Sequence, residues 1–513
     1  MKYFQSAAFR CRLGVWLLLT ALLPARQVIT VGGMFEPRSL DPAQIWDDVS
    51  SFYVFNMYET LVRLNPRTLA IEPALALSWQ NRDNNLVWTF RLRKGVRFHD
   101  GTRFDADAVV YSFQRQLDRV RDDSSPFPMF REIFSYLQEV KKIDSQTVSF
   151  RLSQPFSPFL ATLSVNCAAI VSPALAGKAA DWISSHSAGT GPYQLKSWQP
   201  GKQLVLEANR QYWGKPPAIN EYVMVAERNI DTLTGLFLAR KIDLLFAYSI
   251  SKLEGMKRLN WVKISLGPVF SMRFLAINLR RPPLDSKAVR KTLRYLWDPR
   301  ILKLEYQEYV LPNDSLLPRG FTSHPAGDEY PFSVEKARRI LRANGQAKGF
   351  ALRVMLDEAD TLLFKSLLFY QKSLLKAGIR LTIDRIKTQD EYSQRAGRGD
   401  FDLAASGWIL DYPDLDSLFY ALFSVALQKQ GFPNLSTAPE GRSGITALIE
   451  EGRREFDPAR REQIYLRLNR LTNDEALAIP LYQYQQVIIH NQQLGPMEVD
   501  PLGRVNLYSL RVR

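Results

Sequence analysis

The chain has 513 residues but only two cysteines and four histidines. Two cysteines cannot build a disulfide framework. His99, His186, His324 and His490 are too widely spaced to form a local metal motif, so no metal site is expected. The sequence has no G-x-x-x-x-G-K-[ST] loop to cradle a phosphate, and no C-x-x-C, H-E-x-x-H or G-x-S-x-G. Gly189-Thr190-Gly191-Pro192 is glycine-rich but lacks the lysine a phosphate loop needs. No catalytic residue and no cofactor follow from these absences. Glycine- or serine-rich linkers, internal repeats and dense basic blocks are missing too. Lys and Arg number 67 against 52 Asp and Glu, but the resulting charge of +15 is dispersed. That reads as a solvated basic surface, with no nucleic-acid partner.

One apolar run stands out, Leu13 to Leu23, preceded by Lys2, Arg10 and Arg12 and followed by Pro24-Ala25. It is shorter than the roughly 20 residues a bilayer span needs. A basic start, a short apolar core and a small residue make a secretory signal peptide over residues 1–25. Cys11 precedes the apolar core, so it is not the lipidated cysteine of a lipoprotein. The remaining Cys167 has apolar neighbours, Val165, Ala168, Ala169 and Ile170, and reads as a buried structural thiol. The expected location is the periplasm.

The composition is that of an ordinary globular protein, with 46% apolar and 23% charged residues. At about 100–200 residues per domain, the length predicts roughly three domains or lobes. Alternation at Leu86, Trp88, Phe90 and Leu92 predicts a half-buried strand, as it does at Val148, Phe150 and Leu152, and at Leu204 and Leu206. Lys94-Gly95, Asp100-Gly101 and Pro200-Gly201 mark turns. Val109, Val110, Phe113 and Leu117 form one helical stripe. Helical spacing recurs at Val289, Leu293 and Leu296, stopped by Asp298-Pro299. Ser333 caps a further helix that Asn344-Gly345 closes.

A strand through Leu352, Val354 and Leu356 leads into a helix ending at Gly378, then a strand through Ile379, Leu381 and Ile383. That β-α-β order predicts a parallel α/β lobe. Asp457-Pro458 opens a last long helix, which Pro480 is expected to end.

Six segments carry a resemblance. They are Tyr58–Val62 with Pro73–Ala76 and Ser78-Trp79; Trp88–Phe113; Gly189–Tyr193 with Trp198, Gly201, Asn209 and Tyr212-Trp213; Phe274–Leu296; Ala377–Phe419, centred on Gly407-Trp408 and Asp411-Tyr412; and Asp457–Tyr482 with Arg461. In this order they resemble the family 5 extracellular solute-binding proteins, the receptors of bacterial oligopeptide, dipeptide and nickel ABC importers. The resemblance spans essentially the whole chain after the leader.

It implies an α/β, two-lobed periplasmic-binding-protein-like fold (type II, large family 5 variant) with a hinge and an interlobe cleft. Lobe I would take residues 26–270 plus 485–513, with an extra subdomain at about 50–185, and lobe II residues 271–484. It also implies ligand capture by lobe closure and delivery to an inner-membrane ABC permease, by a receptor that acts as a monomer and is not an enzyme.

By the same resemblance, Asp411, three residues after Trp408, pairs with the α-ammonium of a peptide. The chemistry is sound, because a buried ammonium needs a carboxylate. Trp408, Tyr412, Asn434 and Tyr482 are further lining candidates. Dipeptide-type relatives clamp the ligand carboxylate with an arginine where this chain has Asp357, beside Glu358 and Asp360. An acidic loop there disfavours strict dipeptide binding and points to a longer peptide, a cationic peptide or a ligand with no free carboxylate. Haem or a nickel complex stays open as ligand. A ligand-sensing regulator and an extracellular hydrolase stay open as other classes.

Overall fold

The structure, a computed structural model, describes residues 28–512 apart from 34–35, 46, 123–127, 180, 247–249, 322–328, 425–442 and 496. The leader, His324 and Asn434 lie outside the described residues.

One mixed sheet runs through the protein, with twelve strands among the described residues. Its organiser is the strand Ala478–Asn491, which belongs to both halves. The early part pairs antiparallel with Ser271–Ile277 and Val310–Pro312. From Gln485 onward it pairs with Val262–Pro268, and His490 and Ile489 pair with Leu244-Leu245. The chain therefore passes between the two halves at 268–271 and again at 482–485.

On one side lie Val28–Gly33, Glu221–Ala226, Gln203–Ala208 and Tyr193–Gln199. On the other lie Leu403–Ile409, Phe350–Asp357 and Ile379–Ile386. Phe350–Asp357 and Ile379–Ile386 are parallel, joined by the helix Thr361–Lys376, as the β-α-β reading requires. Gly378, at φ +86°, makes the left-handed turn out of that helix.

A four-stranded antiparallel sheet forms the extra layer: Ala76–Arg82, Val87–Leu92, Thr147–Leu152 and Leu137–Asp144. The helix Ala106–Arg121 covers it, its N-terminus capped by the Asp105 carboxylate on the Asp107 N–H at 3.0 Å. The predicted stripe does the packing. Phe113 meets Phe150 edge-on at 4.8 Å, and Val109 and Leu117 are buried. Each fully buried apolar side chain of this size contributes about 1.5–3 kcal/mol. One continuous buried cluster joins this layer to the second half of the sheet, running from Phe90 and Phe150 to Phe419 and Leu468.

The capping signals are realised. Ser333 Oγ accepts from the Lys336 N–H at 3.1 Å, and Asp457 accepts from the Arg460 N–H at 2.8 Å with Pro458 at the first helical position. The last long helix, Pro458–Asp474, corrects the reading of Pro480. It ends before Pro480, which lies inside the strand Ala478–Asn491. Proline is tolerated there because the ladder is irregular opposite it, shifting register between Arg273 and Phe274.

Cys167 is buried, and burial pushes its thiol well up, as expected of an inert structural cysteine. Among the described residues no helix is long and apolar enough to cross a membrane, and no three His, Cys, Asp or Glu side chains are grouped to hold a metal ion.

The glycines of the 189–193 segment have a backbone role. A Cβ on Gly189 would lie 2.2 Å from the Met57 carbonyl oxygen, and one on Gly191 2.6 Å from it. The loop lies against the end of the helix Asp48–Met57, where only glycine fits, and the Gly191 N–H donates to that carbonyl at 2.9 Å. Beside it, the buried Glu59 carboxylate accepts from Thr190 Oγ1 at 2.7 Å, Trp213 Nε1 at 2.8 Å and Tyr212 Oη at 2.9 Å. Burial pushes Glu59 up, and these three donors act in the opposite direction. Two of the resembling segments, 58–62 and 189–213, are thereby tied into one knot.

Candidate interlobe ligand site

A cavity of about 440 Å³ opens between the two halves of the sheet. Ile45, Asp48 and Phe52 line it from the start of the helix Asp48–Met57, and Asn166 and Cys167 from a nearby turn. Ile409, Leu410 and Asp411 line it from the opposite half, where the strand Leu403–Ile409 ends. Val269 and Tyr484 to Gln486 form its wall at the two chain crossings. Residues from both halves of the sheet therefore contribute to the lining.

Asp411 is the titratable group that stands out. Burial pushes its carboxyl up to about 8, and the negative charge of Asp48 adds to the rise. The Ser417 hydroxyl, 3.5 Å from Asp411 Oδ2, acts in the opposite direction and outweighs the Asp48 charge, so burial carries the rise. The charged side chains lining the cavity among the described residues are Asp48, Asp411 and Arg504. The Arg504 charge is already taken, because Nε meets Asp500 Oδ2 at 2.6 Å and a terminal nitrogen meets the same oxygen at 2.5 Å. Among the described residues the cavity therefore pairs no cation of its own with Asp411.

The turn after Asp411 is held rigidly. The Asp411 N–H donates to Ser417 Oγ at 2.8 Å. Asp414 caps the helix Leu415–Phe423 by accepting from the Asp416 N–H at 2.8 Å. The Asp414 carboxylate also takes a two-pronged pair from Arg461, at 2.6 and 2.7 Å. This is the place of Arg461 in the sixth segment, and of the sequence Asp414-Leu415.

Of the other lining candidates, Trp408, Tyr412 and Tyr482 do not line the cavity, and Asn434 lies outside the described residues. Trp408 packs half-buried on the main core, opposite Met272 in the ladder. Its neighbours Ile409 and Asp411 reach the cavity from the same stretch of chain. Tyr412 is fully buried, and its hydroxyl donates to Asp416 Oδ2 at 2.6 Å. Tyr482 is buried between Tyr306 and Tyr484, with ring centres at 5.2 and 5.3 Å.

Asp357 and Glu358 do not line this cavity either. Asp357 Oδ1 accepts from the Ala359 N–H at 2.9 Å, and the Glu358 carbonyl accepts from Arg385 at 2.7 Å. Asp360 caps the next helix and pairs with Arg273 at 2.5 Å. Sequence reasoning missed Asp48 and Arg504. Each belongs to an element remote in the chain, and no local pattern marks it.

This arrangement, two α/β halves of one sheet with a cavity between them, is that of a two-lobed binding protein. Residues 70–429 match the profile of the bacterial extracellular solute-binding proteins, family 5, middle region, and the chain belongs to that family. It is 27% identical over 520 residues to the probable D,D-dipeptide-binding periplasmic protein DdpA of Escherichia coli K12, with 97% of each chain covered. It is 24% identical over 484 residues to the glutathione-binding protein GsiB of the same strain, with 92% of each covered. Among solved structures it is similar to the periplasmic binding protein DppA of Helicobacter pylori in complex with the peptide STSA. There the TM-score is 0.78 at 25% identity, covering 95% of this chain and 98% of that one. NikA of Brucella suis, in complex with Fe(III)-EDTA, shares the fold at a TM-score of 0.85 and 21% identity, with coverage of 95% and 100%.

Proposed function

We propose that the protein is a periplasmic receptor that captures peptides between its lobes and delivers them to an inner-membrane ABC permease. It binds and releases its ligand without chemical turnover. The observation that carries this reading is Asp411, a carboxyl raised to about 8 inside the interlobe cavity with no cation paired to it among the described residues. An α-ammonium arriving there restores the carboxylate and forms a charge-assisted hydrogen bond in a poorly solvated site.

The periplasmic, peptide-type relatives support the same class of ligand. The hinge lies at the two crossings, 268–271 and 482–485, so lobe I takes residues 26–270 and 485–513 and lobe II takes 271–484. Closure is then biased by ligand contacts that exist only when the lobes meet. With Asp48 beside Asp411, the favoured ligand carries positive charge at its buried end. A backbone-held peptide with wet side-chain pockets fits such a cavity.

Native mass spectrometry of protein purified gently from the periplasm tests the reading. Peptides with free N-termini, released on denaturation, are the expected cargo. A single non-peptide mass overturns the ligand assignment. Peptide hydrolysis by the purified protein would overturn the receptor class.

A further inference from the structure

Outside the cavity, the buried cation Arg453 lies where the two lobes touch. Its side chain is 2% exposed. Nε lies 3.1 Å from Asp416 Oδ1 and 3.2 Å from Oδ2. One terminal nitrogen donates to Tyr136 Oη at 2.7 Å and lies 3.3 Å from Glu132 Oε1. Tyr136 Oη in turn donates to Glu132 at 3.2 Å. The guanidinium stacks over Tyr420, 3.5 Å from the ring centre. The Arg453 carbonyl accepts from the Ser157 N–H at 2.7 Å. Asp416 and Tyr420 belong to the helix Leu415–Phe423, whereas Glu132, Tyr136 and Ser157 belong to the extra layer at 50–185.

The same network leads back to the cleft. Tyr412, next to Asp411 in the chain, donates its hydroxyl to Asp416 Oδ2, the oxygen that Arg453 also holds. Ser417, next to Asp416, accepts from the Asp411 N–H. The turn carrying Asp411 is thus tied through Asp416 to Arg453, and through Arg453 to the opposite lobe.

We infer that Arg453 is a positioning residue for ligand capture, clasping lobe II to the extra layer of lobe I and holding the Asp411 turn in its closed geometry. Opening the lobes would separate a buried guanidinium from Tyr136 and Glu132, so the contact belongs to the closed state. The inference rests on the two-lobed capture reading and adds to it the group that fastens closure.

The test uses Tyr136→Phe, which removes one lobe I acceptor, leaves the ring packing intact and lies outside the cavity. Arg453→Met is made together with Asp416→Asn, so that Asp416 is not left as a lone buried charge. Small-angle scattering is recorded without ligand and with tri-alanine, and tri-alanine dissociation is followed by stopped flow. The expected result for Tyr136→Phe is a larger radius of gyration and about fivefold faster dissociation, the scale of one lost hydrogen bond. A merely structural role would lower the melting temperature and leave both readouts alone. Wild-type scattering and wild-type dissociation in Tyr136→Phe would overturn the clasp. If wild-type protein fails to bind tri-alanine, the peptide reading fails instead. The ligand-free scattering then decides the clasp by itself.

Discussion

Asp411 and Asp48 line one cavity from opposite halves of the protein, and the charge of Asp48 adds to burial in raising the Asp411 carboxyl to about 8. The empty cleft therefore holds Asp411 protonated at neutral pH. An ammonium entering the cavity meets a group that ionises to receive it. The two carboxyls also set the sign of the ligand, because burial makes both costly to ionise and only a cation relieves that cost.

Replacing Asp411 removes that partner. Asp411→Asn is expected to weaken binding of a free-amine peptide by about 2–5 kcal/mol, the range for truncating one side of a buried charge pair. Calorimetry on wild type and variant measures it, and equal affinities would sink the assignment.

Binding should release a proton. Below about pH 8 the free protein carries a proton on Asp411 that the ammonium complex lacks. Close to one proton is released per peptide bound at pH 6, and affinity rises as pH climbs toward 8. Titration calorimetry in two buffers of different ionisation enthalpy reads the proton count directly. A count near zero at pH 6 contradicts the raised value.

The ligand-free protein has its own pH dependence. The folded-state value of Asp411 lies above its ordinary value of 3.8. Between about pH 4 and 8 the folded chain therefore binds a proton that the unfolded chain has released, and this group's contribution to stability falls as pH rises through that window. Asp411→Asn should flatten that part of the profile. Thermal unfolding at pH 5, 6, 7 and 8 compares the two slopes, and parallel profiles would count against it.

The close approach at residue 189 makes a test of the scaffold. Gly189→Ala places a methyl 2.2 Å from the Met57 carbonyl oxygen, and the backbone must move to admit it. The loss expected is about 1–3 kcal/mol, the range for overpacking a tight interior. Urea unfolding of the variant checks this, and an unchanged midpoint would contradict the packing described.

Much of the scaffold is legible in the sequence because its signals are local. Asp105, Ser333 and Asp457 cap helices where the capping pattern places them. The alternation at 350–357 and 379–386 yields a parallel pair. Pro480 misleads because local reading takes proline as a helix stop, whereas the register shift opposite it admits it into a strand. Asp411 is flagged by its spacing from Trp408, and it does line the cleft. Its neighbour Tyr412 is instead spent on Asp416, and no sequence pattern reveals that. Asp48 and Arg453 are invisible locally, since each acquires its meaning from residues on the other lobe.

The account turns on one contact, between Asp411 and a ligand ammonium. Calorimetry comparing tri-alanine with its N-acetylated twin on the wild-type protein tests it most directly. The account predicts that the acetylated peptide binds at least about tenfold more weakly and releases no proton, since a neutral amide leaves Asp411 protonated. Equal affinity and equal proton release for the two peptides would contradict it.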